Sequence, residues 1–301
     1  MSESLNRSVL VAGSANLDFV VRASHVPAPG ETVLGRELAT FAGGKGANQA
    51  IACARAGGAT TRMLLALGQD AYAEPIERSL REAGVELSIR RDRDRATGTA
   101  FICVSDNGEN AITVAPGANA SLRGEDLPDL SGIAYLLLQL ESPLDAVEAW
   151  ARRAREAAVM VVLNAAPARS LPASLLECVD LLIVNEGELA ALSGIDDDLD
   201  AALAQLTVAN VVVTLGARGC RARFDGRFMR QSAFPVQALD TTAAGDTFCG
   251  TLVAALAAGS GYADALRRAC AASALACTRL GAQTSVPHRE EVEWLLRQTP
   301  Q

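Results

Sequence analysis

The amino-acid sequence predicts an α/β fold in which a mostly parallel sheet is covered by helices on both faces. Short apolar runs rich in β-branched residues alternate with longer, alanine-rich amphipathic stretches, a rhythm typical of β-α-β units. The 301 residues are enough for one large α/β domain or for two modest ones. Because no Pro/Ser-rich linker, charge block or internal repeat divides the chain, we expect a single domain over residues 1–301.

The predicted elements follow one another in a regular order. The expected strands of the main sheet are residues 8–13, 61–67, 134–140, 159–164, 180–184 and 211–215. The expected helices among them are residues 47–56, 75–83, 144–157 and 199–206, and three more follow at residues 244–258, 262–279 and 289–298.

Two regions break this rhythm and predict a second, smaller sheet. Residues 17–22 alternate between apolar and polar side chains, as a half-exposed antiparallel strand does. Residues 97–115 contain two alternating runs around Asp106-Asn107-Gly108, and Asn-Gly is a strong hairpin signal because it supplies a positive φ. Together with residues 32–41, these segments form either edge strands of the large sheet or a lid over a ligand.

The composition excludes several classes of protein. With 50% hydrophobic and 21% charged residues, the chain is neither a disordered tail nor a fibrous repeat. Its 35 acidic and 27 basic residues give a net charge of −8, so no global basic field attracts nucleic acid. No apolar run approaches the ~18 residues of a membrane span, and the first apolar run is too short for a signal peptide. We therefore expect a cytoplasmic protein with neither nucleic acid nor a membrane as its partner.

Cysteine and histidine usage narrows the chemistry further. The seven cysteines are odd in number and contain no C-x-x-C spacing, so we expect reduced core thiols. The only histidines, His25 and His288, exclude a multi-histidine zinc site, and neither lies near a candidate nucleophile.

Polar residues follow the predicted strands at the points where the strands end. They are Asn16 and Asp18, Gln139 and Glu141, Asn164, Asn185, and Thr214 ahead of Gly216. The carboxyl ends of parallel strands share one edge of a sheet, and ligands bind at that edge. Amides, carboxylates and hydroxyls gathered there predict a cleft for a polar ligand.

The segment Gly43-Gly44-Lys45-Gly46-Ala47-Asn48 opens a predicted helix. Its glycines let the backbone approach a ligand, and a helix start offers unpaired N–H groups. The segment is neither a Walker A loop nor a G-x-G-x-x-G fingerprint, and a plain glycine-rich helix cap is the alternative. Lys45 and Asn48 add donors that suit a polyhydroxyl compound better than a diphosphate.

The segment from Asp240 to Asp246 opens another predicted helix. Ala243, Ala244 and Gly245 are expected to expose successive N–H groups at its positive end, where they would stabilise a phosphoryl group in transit. Asp246 could then accept the proton of an attacking hydroxyl. The alternative is that Asp240 or Asp246 merely caps the helix.

Two further segments allow two interpretations each. Residues 214–219 (Thr-Leu-Gly-Ala-Arg-Gly) form either a tight turn into the next strand or a loop that faces a nucleotide. Asn185 and Glu188 lie three residues apart at a helix start, where they either cap the helix or contact phosphate through magnesium or water.

These segments together resemble the ribokinase-like sugar kinases. The two signature segments are residues 43–50 and 240–248, and the agreement extends in the right order through residues 16–18, 29–32, 139–143, 166–168, 185–188, 214–219 and 281–283. The resemblance implies a Rossmann-like sheet domain with a small β-sheet lid, whose strands come from about residues 17–41 and 97–115.

The resemblance also implies an activity, which is transfer of the γ-phosphoryl group of ATP to the 5-hydroxyl of ribose with Mg²⁺ present and K⁺ as activator. A sibling kinase for deoxyribose, another sugar or a nucleoside is the nearest alternative. A sugar-binding protein that has lost catalysis would break Asp246 or the loop before it, and both are intact. A nicotinamide oxidoreductase would need the missing glycine fingerprint.

The resemblance assigns roles to individual positions. Asn16, Asp18, Gly44, Lys45, Gly46, Ala47, Asn48, Glu141 and Asp246 match sugar-binding positions, with Asp246 as the catalytic base and Ala243, Ala244 and Gly245 as the anion hole. Asn185, Glu188, Thr214, Gly216, Gly219, Gly245 and Cys270 match nucleotide contacts, although ribokinase-like sugar kinases often have a polar residue in place of Cys270. Asp240, Thr242, Ala276, Arg279, Gly281 and Ser285 match a monovalent-cation site formed mostly by backbone carbonyls.

The lid of such enzymes commonly forms a dimer clasp, so the resemblance implies a homodimer. The alternating apolar faces of residues 17–22 and 99–104 agree with this, since a lone lid would leave them exposed.

Overall fold

The computed structural model describes residues 8–299, which form two sheets and nine α-helices. The strands are β1 (Ser8–Ala12), β2 (Asn16–Ala23), β3 (Glu37–Gly43), β4 (Thr61–Leu67), β5 (Glu86–Arg91), β6 (Gly98–Ser105), β7 (Asn110–Ala115), β8 (Ile133–Leu138), β9 (Met160–Asn164), β10 (Leu181–Asn185), β11 (Asn210–Thr214), β12 (Cys220–Phe224) and β13 (Arg227–Gln231). The helices are α1 (Lys45–Ile51), α2 (Ala73–Glu82), α3 (Leu144–Glu156), α4 (Ala173–Leu176), α5 (Glu186–Ser193), α6 (Leu199–Gln205), α7 (Ala244–Ala257), α8 (Tyr262–Ala276) and α9 (Arg289–Gln298).

The large sheet has nine strands in the order β13-β12-β11-β10-β9-β8-β1-β4-β5. Every pair from β11 to β5 is parallel, and the hairpin of β12 and β13 adds an antiparallel edge. The predicted α/β fold class is therefore confirmed. The carboxyl ends of β1, β8, β9, β10 and β11 lie on one edge, beside the amino ends of α1, α5 and α7, and this edge holds the site.

The second sheet has four strands in the order β3-β2-β6-β7 and is separate from the first. The segments that break the β-α rhythm thus form a sheet of their own instead of extending the edges of the large one. In the β6–β7 hairpin only Gly108 has a positive φ, 86°, and its N–H donates to the Ser105 carbonyl at 3.0 Å. The turn is therefore longer than a two-residue Asn-Gly turn, and Asn107 keeps an ordinary backbone conformation.

The core lies on both faces of the large sheet. Alternate residues of β1 point to opposite faces, so Val9 and Val11 pack in one cluster while Leu10 and Ala12 pack in the other. The first cluster packs beneath α1, α7 and α8, and the second beneath α3. Trp150 of α3 is fully buried and donates its Nε1–H to the Arg123 carbonyl at 2.9 Å.

All seven cysteines carry free thiols. Among residues 8–299 no helix is long and apolar enough to cross a membrane.

Candidate active site

Asp246 lies in the first turn of α7, at the meeting point of several strand ends. Its side chain is buried, and both carboxylate oxygens accept amide hydrogen bonds from α1. Asn48 Nδ2 donates to Oδ2 and Gln49 Nε2 donates to Oδ1, each at 2.9 Å. The carboxylate is thus held in one orientation by two consecutive residues of a neighbouring helix. Gln49 is a site residue that the sequence alone did not identify.

The loop before Asp246 presents backbone amides to the cleft. Ala243 takes a left-handed conformation with φ 57°, which an alanine rarely adopts. Among the described residues, the N–H groups of Ala243 and Gly245 have no hydrogen-bond acceptor, as the proposed anion hole requires. The Ala244 N–H instead donates to the Thr241 carbonyl at 3.2 Å. The expectation of three exposed N–H groups is therefore wrong at Ala244, because the left-handed residue before it closes a tight turn.

The start of α1 is packed against the chain segments that follow β1 and β8. The Lys45 N–H donates to Glu141 Oε2 at 3.1 Å, the Gly46 N–H to Ser14 Oγ at 3.3 Å, and the Ala47 N–H to the Ser14 carbonyl at 2.9 Å. The expectation that this helix start offers unpaired N–H groups is therefore wrong at these three positions. Ser14, which also donates to Glu141 at 2.5 Å, was not predicted from the sequence.

The glycines around this helix start are required by contacts within the protein. A Cβ on Gly46 would lie 2.7 Å from the backbone of Ser14, and one on Gly44 would lie 2.8 Å from Ala15. A Cβ on Gly43 would lie 2.1 Å from Asp18 Oδ2. Gly43 therefore leaves room for a side chain of the site.

Asp18 and Asn16 extend from β2 toward the same cleft, and both are buried. Asp18 Oδ1 has no hydrogen-bond partner within residues 8–299, so this buried oxygen is available to a ligand. Burial, followed by the charges of Glu141 and Asp246, raises the pKa of Asp18 to about 7. Asn16 Oδ1 accepts a bond from Asn119 Nδ2 at 2.8 Å, another contact that no local sequence pattern announces.

Lys45 supplies the positive charge of the cleft. Its pKa is raised mainly by the charge of Asp246, with smaller contributions from Glu141 and Glu188, although burial acts in the opposite direction. The ammonium group therefore stays protonated among three carboxylates.

A polar cavity of about 220 Å³ opens beside Asp246 and Lys45. Asn185, Glu188 and Thr214 also line it. Asn185 and Glu188 form a capping box at the start of α5, since the backbone N–H of each donates to the side chain of the other at 2.8 Å. Capping and a position facing the cavity are thus compatible. Burial raises the pKa of Glu188.

An apolar cavity of about 400 Å³ adjoins the polar one, since Thr214, Thr241 and Gly245 line both. Its walls include the predicted nucleotide residues Gly216, Gly219 and Cys270, together with Ala233, Phe234, Val236, Phe248, Ala274 and Cys277. The loop of residues 214–219 also turns directly into β12, so both interpretations of that segment agree with the structure. An apolar chamber next to a polar one suits a flat base attached to phosphates.

The predicted cation-site residues lie at the end of α8 and in two loops that Asp240 holds together. Asp240 Oδ1 accepts the Thr242 N–H at 2.8 Å and Oδ2 accepts the Gly281 N–H at 2.9 Å. Ser285 is buried and bonds to the Ala282 carbonyl, whereas the Arg279 guanidinium pairs with Glu291 of α9 and leaves only its backbone for the loop. The prediction of carbonyl ligands is compatible with this arrangement. Within residues 8–299 no group of three or more His, Cys, Asp or Glu side chains could hold a metal ion.

Known proteins are similar to this chain in sequence and in structure. The family described as pfkB family carbohydrate kinase matches residues 6–289. A ribokinase of Haemophilus influenzae is 37% identical over 299 residues, covering 95% of this chain and 97% of its own. The crystal structure of a Thermotoga maritima ribokinase has a TM-score of 0.89 at 37% identity, and that of an Arabidopsis thaliana ribokinase complexed with ribose and ATP has 0.89 at 32%. Each covers 97% of this chain and 99% of the neighbour.

Proposed function

Because this chain belongs to the pfkB family of carbohydrate kinases, we propose that it transfers the γ-phosphoryl group of ATP to O5 of D-ribose. One observation supports this most strongly. Asp246 is bonded to Asn48 of the predicted sugar site, and together with Ala243 and Gly245, whose N–H groups are free, it lines the polar cavity that adjoins the apolar one. A kinase needs this arrangement, with acceptor on one side, donor on the other, and a base at the junction.

The acceptor side holds the sugar through hydroxyl-binding groups. Amide and carboxylate groups that can bond to sugar hydroxyls come from Asn16, Asp18, Asn48 and Glu141, and the cation comes from Lys45. Binding several hydroxyls at once orients the sugar and positions O5 against Asp246. The carboxylate then accepts the O5 proton as the new P–O bond forms and the bond to the β-phosphate oxygen breaks.

The donor side stabilises charge on the moving phosphoryl group. Ala243 and Gly245 line the polar cavity at the positive end of α7, where their unbonded N–H groups can donate to the outer oxygens of the phosphoryl group. Asn185, Glu188 and Thr214 face the phosphates, while Gly216, Gly219 and Cys270 border the base.

The proposed reaction also uses a magnesium ion and a potassium ion. Glu188 lines the polar cavity, and its carboxylate would hold a magnesium ion together with the nucleotide phosphates, where the ion neutralises phosphate charge. Carbonyls of the Asp240–Thr242 and Ala276–Ser285 loops would hold potassium, which would fix the loop before Ala243. Because the reaction consumes ATP, we propose that it takes place in the cytoplasm, where ATP is available.

A substrate panel tests the proposed function. ADP release is measured with D-ribose, 2-deoxyribose, fructose and adenosine, each with potassium and with potassium replaced by lithium. We expect the highest kcat/KM with ribose, and a higher rate when potassium is present. Release of ADP with a different alcohol at higher kcat/KM would assign the chain to a sibling kinase, and no release with any of them would reject kinase activity.

Asp18 makes ribose binding depend on pH. With its pKa at about 7, protonation below that pH removes the charged acceptor from the sugar site. We expect kcat/KM for ribose to fall by about tenfold for each pH unit below 7. The D18N variant is expected to lose this limb of the profile, while retaining the ATP affinity of the parent protein. A parental profile in D18N would contradict the assignment.

The raised pKa of Asp18 also affects the stability of the folded protein. Since the folded-state pKa lies above the unfolded value of 3.8, Asp18 favours the folded state most at low pH, and this contribution is lost as the pH rises through about 7.

We also propose that the small sheet forms a homodimer interface. Val114 pairs with Ala100, which pairs with Asp18, so Val114 and Ile112 lie on the same face as the sugar site. Ile112 is 55% exposed and Val114 is 43% exposed. We expect light scattering to give twice the monomer mass, and I112E/V114E to give the monomer mass. A monomeric parent protein would contradict this.

A further inference from the structure

Asp246 is bonded to a series of buried amide side chains. Gln139 Nε2 donates to Gln49 Oε1 at 2.6 Å, and Gln49 Nε2 donates to Asp246 Oδ1 at 2.9 Å and to Asn164 Oδ1 at 3.0 Å. Gln49 and Gln139 are both 0% exposed. These hydrogen bonds connect α1, α7 and the ends of β8 and β9.

The carboxylate of Asp246 determines the orientation of the Gln49 amide. An ionised Asp246 can accept but cannot donate, so the NH₂ group of Gln49 must face it and the carbonyl oxygen must face away. Gln139 then donates to that carbonyl oxygen, which holds the amide in this orientation. Gly13 leaves space for Gln139, since a Cβ there would lie 1.9 Å from Gln139 Oε1. Burying amides without partners would be costly, and here both groups of the Gln49 amide and the Nε2 of Gln139 are bonded, while Gln139 Oε1 has no partner within residues 8–299.

Gln49 differs from its neighbour Asn48 in one respect. Both bond to Asp246, but Asn48 lies in the predicted sugar pocket, whereas Gln49 is fully enclosed and cannot touch a sugar or a nucleotide. Any effect of Gln49 on the reaction must therefore pass through the residues to which it bonds, and of these Asp246 is the proposed base.

Building on the function proposed above, we propose that Gln49 is a positioning residue for Asp246, and that Gln139 in turn orients Gln49. The amide of Gln49 holds Oδ1, so the carboxylate keeps the rotation that presents its other oxygen to the sugar hydroxyl. A base that rotates freely would spend less time in the reactive geometry, and misplacement of about 1 Å can cost about 100-fold in rate.

The test uses Q49M and the isosteric Q49E. Removing the amide in Q49M is expected to lower kcat by about 10- to 100-fold and to leave KM for ribose within about threefold. In Q49E a second carboxyl group lies against Asp246, so the acid limb of the kcat profile is expected to move to higher pH by about one unit or more. The titratable groups whose charges act on Asp246, namely Asp18, Lys45, Glu188 and Cys249, are unchanged in both variants.

T251V is the matched control. Thr251 lies in the same helix as Asp246, is also buried, and its Oγ1 has no hydrogen-bond partner within residues 8–299. We expect parental kcat and pH profile in this variant. If Q49M and Q49E are less stable to heat but keep the parental kcat, KM and pH profile, Gln49 has only a structural role and the proposal is overturned. If Q49M does not fold, the pH profile of Q49E decides.

A second readout is independent of the proposed function. Carboxyl ¹³C NMR of aspartate-labelled protein, with D246N identifying the resonance, follows the titration of Asp246 without substrates. Loss of a hydrogen bond to the charged form is expected to move the titration midpoint to higher pH in Q49M. If the parent protein phosphorylates no sugar but this shift is present, the function fails and the positioning role stands. An unchanged midpoint overturns the positioning role whatever the activity.

Discussion

Replacing Asp246 by asparagine is expected to lower kcat by about 10²- to 10⁴-fold, the usual contribution of a general base. The amide would keep the size of the side chain but could not accept the O5 proton. Ribose and ATP would still bind, because the other hydroxyl partners are untouched and the amide keeps the shape of the side chain that lines the polar cavity. Steady-state kinetics gives kcat, and calorimetric titration with ribose gives the affinity, which we expect to stay within about threefold of the parent protein.

D264N is the control for this substitution. Asp264 lies in the first turn of α8, is half-exposed and pairs with Arg268 at 2.8 Å, away from the cleft. The same chemical change there is expected to leave kcat unaltered. A kcat of D246N close to the parental value would reject Asp246 as the base, and equal losses in D246N and D264N would indicate a general effect on folding.

The second large effect is expected from G43A. The new Cβ would lie 2.1 Å from Asp18 Oδ2, so the Asp18 side chain must rotate away. Loss of hydrogen bonds to a charged group costs about 1.5–3 kcal/mol, so we expect KM for ribose to rise by about 10- to 100-fold. KM for ATP should be unchanged, since neither Gly43 nor Asp18 lines the two cavities assigned to the nucleotide.

The control for G43A is G261A. Gly261 precedes α8 with an ordinary negative φ, and a Cβ there has no atom within 4 Å. Its ribose KM is expected to match that of the parent protein. If KM for ribose were unchanged in G43A as well, Asp18 would not be a sugar ligand.

Much of the fold follows from periodicity. β1, β4, β8, β9, β10 and β11 are buried, so they appear as continuous apolar runs and were predicted within a few residues. β5 and β13 were missed because they are the edge strands of the sheet, and β12 was missed because its buried apolar residues alternate with arginines. Their sequences, Glu86–Arg91, Cys220–Phe224 and Arg227–Gln231, are rich in arginine, and edge strands do not need an apolar pattern.

The site was predictable where residues follow strand ends, and not where contacts are long-range. Asp246, Asn48 and Asp18 could be named because each lies in or beside a short motif. Ser14, Gln49 and Asn119 could not, because their partners are distant in sequence: the Gln49–Asp246 contact spans 197 residues and the Asn119–Asn16 contact spans 103. Short sequence motifs do not predict contacts between residues so far apart in the sequence. The backbone turn that takes up the Ala244 N–H depends on a conformation that alanine rarely adopts.

The measurement that tests the central claim most directly is ³¹P NMR of the product formed from ATP and D-ribose by the parent protein and by D246N. We predict a phosphomonoester signal split into a triplet by the two protons on C5, formed by the parent protein and almost absent with D246N. A doublet from phosphate on C1, inorganic phosphate alone, or equal yields from the two proteins would contradict it.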